Sequence, residues 1–345
     1  MMLAFISLVA GLWSGLLRIG VPLPALAPDL ATSHGPLMIG GFLGTLISLE
    51  RAVALGRPWA YGAPLLAGIG TALGLLSGPG HLAPIVVTAG SLLFVASSLD
   101  VMRRQFTDFT TTMALGAASW AIGNGLWSLG RPVFELVVWW MAFPLLTILG
   151  ERLELSRVIR PPKIAQRTFA FLVAVEIAGA GIVSLSPALG SRILGLTFVA
   201  FAAWLSAFDV VKRTIKTQGL TRYIAACLLT GYVWLGVSGA LWLWLGAVRV
   251  GPLYDAVLHT FFVGFVFSMI FGHAPIILPA VLRVEIKYRV VFYLPLALLH
   301  LALVLRVIGD LAPHGELRVC GGVLNAVAVV LFFATMAIGA AASRR

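Results

Sequence analysis

An apolar run long enough to cross a bilayer recurs along nearly the whole chain, bounded each time by charge, proline or glycine. That recurrence leaves few folds open. Hydrocarbon offers no water to satisfy backbone N–H and C=O groups, so a spanning segment of about 20 apolar residues has to be a helix that satisfies its own. Such runs predict helices near 2–19, 35–55, 59–77, 82–102, 109–129 and 132–150, then near 165–186, 189–211, 220–247, 254–279, 289–308 and 317–340. Gly78-Pro79-Gly80 separates the third from the fourth. Composition agrees: 60% of the 345 residues are hydrophobic, 11% are charged and mean hydropathy is +1.02, values foreign to a water-soluble domain of this length. The expected fold class is therefore all-α, a polytopic transmembrane helical bundle of about 12 helices. It is expected as a single membrane domain over 1–345, with a central cytoplasmic loop near 151–165 and no convincing repeat between the halves.

The formal charge of +11 would suggest nucleic acid in a soluble chain. Here the basic residues fall in short loops, and their distribution is topological. Eighteen of the 24 lie on the side reached by the ends of even-numbered helices, among them Arg152, Arg283, Arg344 and Arg345, against six on the other side. The positive-inside rule then places both termini in the cytoplasm and supports an even number of spans. Nucleic acid is excluded as a partner, and membrane lipid is expected. Ala25-Leu26-Ala27 resembles a signal-peptidase site, but no basic segment precedes the first apolar run and Pro22, Pro24 and Pro28 surround the site, so a retained helix is expected. Cys227 and Cys320 show no CxxC or CxxCH spacing, so neither a zinc site nor a c-type heme is supported.

Chemistry concentrates in the segment LHTFFVGFVFSMIFGHAPIILP, 258–279. His259 and His273 are 14 residues apart, about 40° short of four α-helical turns, so both are expected on one face about 21 Å apart. Imidazole in hydrocarbon is costly unless it pairs, coordinates a metal or faces water. His34 is expected to open the second helix and His259 lies about one turn into the tenth. Both helices start at the outer surface, so the two rings share a depth, as two axial ligands of one heme would. Glycines follow both, Gly35, Gly40, Gly41 and Gly44 after the first and Gly264 after the second. They allow close helix packing or the approach of a flat macrocycle. Asp255, four residues before His259, is placed to accept a ring N–H as an outer partner of the ligand. Arg18, Arg249 and Arg318 lie on the outer side, where heme propionates need cations and where interfacial arginines are also ordinary.

His273 and His300 lie deeper, at levels differing by about 9 Å on antiparallel helices; a second heme or a copper at these two stays open beside a hydrogen-bonded role. Glu176, mid-helix in the seventh span, is either a proton-relay element or a hydrogen-bonded helix contact. Trp13, Trp59, Trp127, Trp242 and Trp244 fall near helix ends and read as interface anchors.

His34 with the following GPLMIGGFLGTLI resembles the helix-2 ligand segment of heme-copper oxidases and nitric oxide reductases. Together with LHTFFVG around His259, it is more similar to the NnrS family, twelve-helix heme-containing membrane proteins associated with nitric oxide stress and linked to copper. The resemblance covers about 40 residues, and in it His34, His259 and Gly264 match the family's positions. It implies a heme-copper-oxidase-like helix arrangement in the inner membrane of a bacterium or archaeon. Helices 6 and 7 carry Glu135 and Glu176 where heme-copper oxidases have copper-ligand histidines, so oxygen reduction at such a centre is not expected. The GHAP segment at His273 also departs from the NnrS pattern. The expectation is a b-type heme held by His34 and His259, serving nitric oxide or related nitrogen-oxide metabolism by electron transfer or sensing. Its partners would be a small gaseous or redox ligand and an electron-donor protein or quinol, with membrane heme oxidoreductase activity open. The rivals are a secondary transporter built around His273, His300 and Glu176, and a heme-handling protein.

Overall fold

A computed structural model describes residues 1–26, 30–78, 80–282, 284–312 and 314–342. Ala27 and Pro28 of the cleavage-like sequence, Pro79, Arg283, Arg344 and Arg345 lie outside them. The protein is an all-α polytopic membrane protein. Among the described residues, twelve long helices correspond one to one with the apolar runs: α1 Met2–Arg18, α2 Leu30–Leu55, α3 Pro58–Ser77, α4 Leu82–Arg104, α5 Asp108–Ser128, α6 Val133–Ser156, α7 Lys163–Val183, α8 Pro187–Phe208, α9 Gly219–Leu245, α10 Gly251–Val281, α11 Val290–Leu311 and α12 Gly315–Ala342. Ten are long and apolar enough to cross a membrane among the described residues; α1 is apolar but 17 residues long, and α5 is the more polar exception at 21 residues. Local chemistry sets their ends. Thr107 and Thr110 cap the start of α5 reciprocally, and Pro58 and Pro187 occupy the opening turns of α3 and α8. Gly56 closes α2 in the left-handed conformation at φ 64°.

The chain divides into two compact units, the first Met1–Glu151 and the second beginning at Arg152. In the first, Trp120 stacks on Phe143 at 5.0 Å and Phe94 packs edge-on to both, while the Trp140 indole donates to the buried Asn124 carbonyl oxygen at 2.9 Å. In the second, Phe271 stacks on Phe332 at 3.9 Å and Phe198 packs on Phe261 and Trp242. Large apolar side chains such as Leu65, Leu92, Phe171, Leu196, Val233 and Leu301 stay exposed on the helices, as lipid contact requires. Trp244 and Trp59 are exposed as interface anchors should be, but Trp242, expected there too, is buried at 3% against Phe198. The two indoles are two residues apart on α9 and therefore face opposite ways.

Candidate functional site

His34 does not open its helix: a 3-10 turn, Leu30–Ser33, precedes it, so the ring stands one turn in. Its neighbour is α1. There Gly11 and Gly15, one turn apart, leave α1 without side chains on the approached face. A Cβ at Gly15 would lie 2.9 Å from His34 Cε1, and the Gly11 carbonyl takes His34 Nδ1 at 2.8 Å. A carbonyl has no hydrogen to give, so Nδ1 donates, and in the neutral ring Nε2 carries the lone pair. In the second unit His259 does the same by a shorter route, with Nδ1 2.7 Å from the Asp255 carbonyl four residues back. Both are the tautomer of an Nε2 metal ligand whose other N–H is held by a carbonyl.

A second feature is shared. The helix passes into π geometry just after each histidine, over Leu37–Gly44 in α2 and Thr260–Val266 in α10. Runs of i→i+5 bonding are rare and recur at functional sites. No residue pattern in the two segments announces them. They also change one expectation: counting 3.6 residues per turn cannot carry a face across Thr260–Val266, so the alignment of His273 with His259 does not follow.

The glycines beyond the histidines prove to be packing sites. A Cβ at Gly44 would sit 2.2 Å from the Trp120 ring, one at Gly264 would sit 2.5 Å from Trp234, and Gly41 is closed by Ser7 and Thr71. Of the two roles open to them, helix packing accounts for these three; Gly40, with Thr71 at 3.4 Å, and Gly35, with only Trp140 at 3.8 Å, are looser.

Asp255 reaches Arg318 through its carboxylate, in a network that continues from Arg318 Nε to Asp310 Oδ1 at 2.8 Å and to Arg306 beside it. Thus Arg318, one of the three expected propionate cations, already answers two carboxylates. Arg18 ends α1 in the first unit, and Arg249 stands in the loop before α10 in the second. Glu135 pairs with Arg131 at 2.6 Å.

His273 and His300 meet different partners. His273 Nδ1 donates to the Met269 carbonyl at 2.7 Å, the ligand-type tautomer again. His300 is reversed: Trp234 donates its indole N–H to His300 Nδ1 at 3.0 Å, so the ring proton is on Nε2, which is buried without a partner. In that state His300 is a donor and not a metal ligand.

Sequence reading missed one charged pair. Arg152, counted among the cytoplasmic cations, is 3% exposed, and its Nε and Nη2 bind Asp209 Oδ2 and Oδ1 at 2.8 and 3.0 Å. Asp209 Oδ1 also accepts the Val211 N–H at 2.7 Å, at the start of the helical turn Val211–Thr214. Arg152 and Asp209 both lie at the ends of membrane helices, where charged residues are ordinary, so the sequence carried no signal of the pair. Among the described residues no three His, Cys, Asp or Glu side chains gather as a metal site, whereas two-histidine ligation of a heme asks for no such group.

A family model described as a domain of unknown function, DUF8744, matches residues 1–341. No curated protein matches the chain.

Proposed function

We propose a function from one premise: the chain belongs to the DUF8744 family, so the reading rests on its own residues. It is a heme b-binding protein of the cytoplasmic membrane of a bacterium or archaeon, with both termini inside. His34 and His259 are the residues that would hold the heme. The observation that carries this is the shared device at the two histidines, each with Nδ1 held by a main-chain carbonyl and each leading into a π segment. In both rings Nε2 is the nitrogen whose lone pair would face iron. The filled spaces at Gly44 and Gly264 mean that a macrocycle would not use those glycines.

Bound there, a heme would supply a one-electron iron couple, suited to electron transfer or to sensing of a small ligand. The protein's part is orientation. The Gly11 and Asp255 carbonyls fix ring tautomer and direction, and a carbonyl acceptor raises the basicity of the ligating nitrogen. The ion pair of Asp255 with Arg318 fixes the turn that presents His259. Service to nitric oxide or related nitrogen-oxide metabolism, with a redox protein or quinol as donor, follows from the resemblance to NnrS.

The test is an oxidised and dithionite-reduced absorption spectrum of the purified protein, with a pyridine hemochrome to count heme. Sharp α and β bands at about one heme b per chain are expected, and His34→Ala or His259→Ala should abolish or alter them. Full retention of the spectrum in both variants would sink the assignment. A second reading, a secondary transporter, is favoured by the buried Glu176 and Arg152–Asp209 groups. It predicts a featureless visible spectrum after expression with ample heme, and a proton-coupled flux.

A further inference from the structure

Among the described residues, Glu176 is the most secluded carboxyl outside any ion pair. It stands in the middle of α7, 1% exposed, with α8 packed on that helix. Oε2 is hydrogen-bonded to the Thr197 hydroxyl of α8, and Oε1 is buried with no partner. Thr197 Oγ1 also lies 2.8 Å from the Leu194 carbonyl, one turn back on its own helix.

The hydrogens in this chain can be counted. A hydroxyl has one hydrogen and two lone pairs, and a carbonyl only accepts. If Thr197 gives its hydrogen to Leu194, the hydrogen between Thr197 and Glu176 must come from Glu176, which is then the neutral acid. If the acid has lost its proton, Thr197 turns its hydrogen onto Oε2, and the Leu194 carbonyl keeps its place in the helix ladder. One rotation of one hydroxyl therefore satisfies either state, and an ionised carboxylate in the membrane interior needs that donor. Oε1 stands outside this chain of hydrogen bonds. Few charges face this pair. On α8 the only ionisable side chain is Arg192, five residues before Thr197 and about 7.5 Å along the axis. On α7, Lys163 and Arg167 lie in the first turns.

We infer that Glu176 and Thr197 form a proton-exchanging site in the second unit, with Glu176 the carrier, Thr197 the hydroxyl switch and the proton the only ligand. The inference is independent of heme: an electron-transfer protein and a transporter each have use for such a group.

Dicyclohexylcarbodiimide tests it, because it partitions into membranes and adds only to the acid form. The acid proton passes to a carbodiimide nitrogen as the carboxyl oxygen bonds the central carbon. Acyl migration to nitrogen then leaves a stable N-acylurea, with nothing lost. The full-length protein in lipid nanodiscs should carry this adduct on Glu176 by peptide mass spectrometry. Labelling should fall steadily from mildly acidic to alkaline buffer and be absent in Glu176→Gln. No adduct, or a yield indifferent to pH, would make the group a fixed hydrogen bond and overturn the inference. Protection by Na⁺ at constant pH, with choline as control, would overturn it in favour of a metal-cation site. If Glu176→Gln fails to assemble, the parent protein's own pH profile still decides.

Discussion

Arg152→Ala is expected to destabilise the second unit by about 3–5 kcal/mol, the cost of leaving one member of a buried ion pair alone. Arg152 and Asp209 side chains are 4% and 0% exposed and meet through two parallel N–H···O bonds, the fork geometry that suits Arg and carboxylate. Removing the guanidinium leaves Asp209 with the single Val211 N–H as its described donor at the end of α8. Asp209→Ala should cost about as much, because the guanidinium is then the group left buried without its carboxylate. Replacing both at once, Arg152→Met with Asp209→Leu, should cost less than either single change. A pair of apolar side chains asks for no desolvation, and that non-additivity separates a true pair from two independent residues. Cys227, fully buried in α9, provides the readout, since a thiol-reactive dye reaches it only when the second unit opens, while exposed Cys320 reacts at once. Single variants that shift the opening midpoint by less than about 1 kcal/mol would place the pair in the class of solvated surface bridges instead.

That pair marks where reading the chain in order runs out. The helices were legible because each is a long run of one residue class, and a run is a local property. Even α5, whose DFTTTMALGAASW is the least apolar stretch, shows its start through Thr107. Arg152 and Asp209 are 57 residues apart, and each sits where a charged residue is ordinary, at the end of a membrane helix. Nothing nearby tells a buried arginine from a cytoplasmic one. The site divides in the same way. The His259–Asp255 spacing was legible as one helical turn, although the ring takes the main-chain oxygen of Asp255 and the carboxylate reaches across to Arg318. The acceptor for His34 belongs to α1, 23 residues earlier, and Gly15 is what makes room for the ring. A glycine shows that something approaches closely but not what: at Gly264 the visitor is Trp234. The π segments were illegible because i→i+4 and i→i+5 bonding draw on the same apolar residues.

Glycine-to-alanine substitution should therefore have opposite signs at two places in this protein, and the larger effect is expected at Gly321. A methyl group there would lie 2.4 Å from the Arg306 nitrogen and 2.6 Å from the Ala302 oxygen, both backbone atoms of α11 that no rotamer can move. Gly309 makes the reciprocal approach, 2.4 Å from the Arg318 nitrogen. The two glycines let α11 and α12 lie in backbone contact, and that contact holds Arg306 and Asp310 of α11 level with Arg318 of α12. Gly321→Ala must push the helices apart, at about 1–3 kcal/mol for overpacking and more if Arg318 loses its hold on Asp310. Gly181→Ala, in α7 where nothing lies within 4 Å of the added carbon, should instead gain about 0.5–1 kcal/mol from helix propensity. Cys227 exposure measures both on one scale. Because Arg318 also holds Asp255, one turn from His259, the Gly321→Ala protein should show a shifted heme spectrum where Gly181→Ala shows none. Equal stability of the two variants would mean that α11 and α12 are not in backbone contact. A destabilised Gly321→Ala protein with an unchanged heme spectrum would separate the Arg318 network from the ligand it is argued to orient.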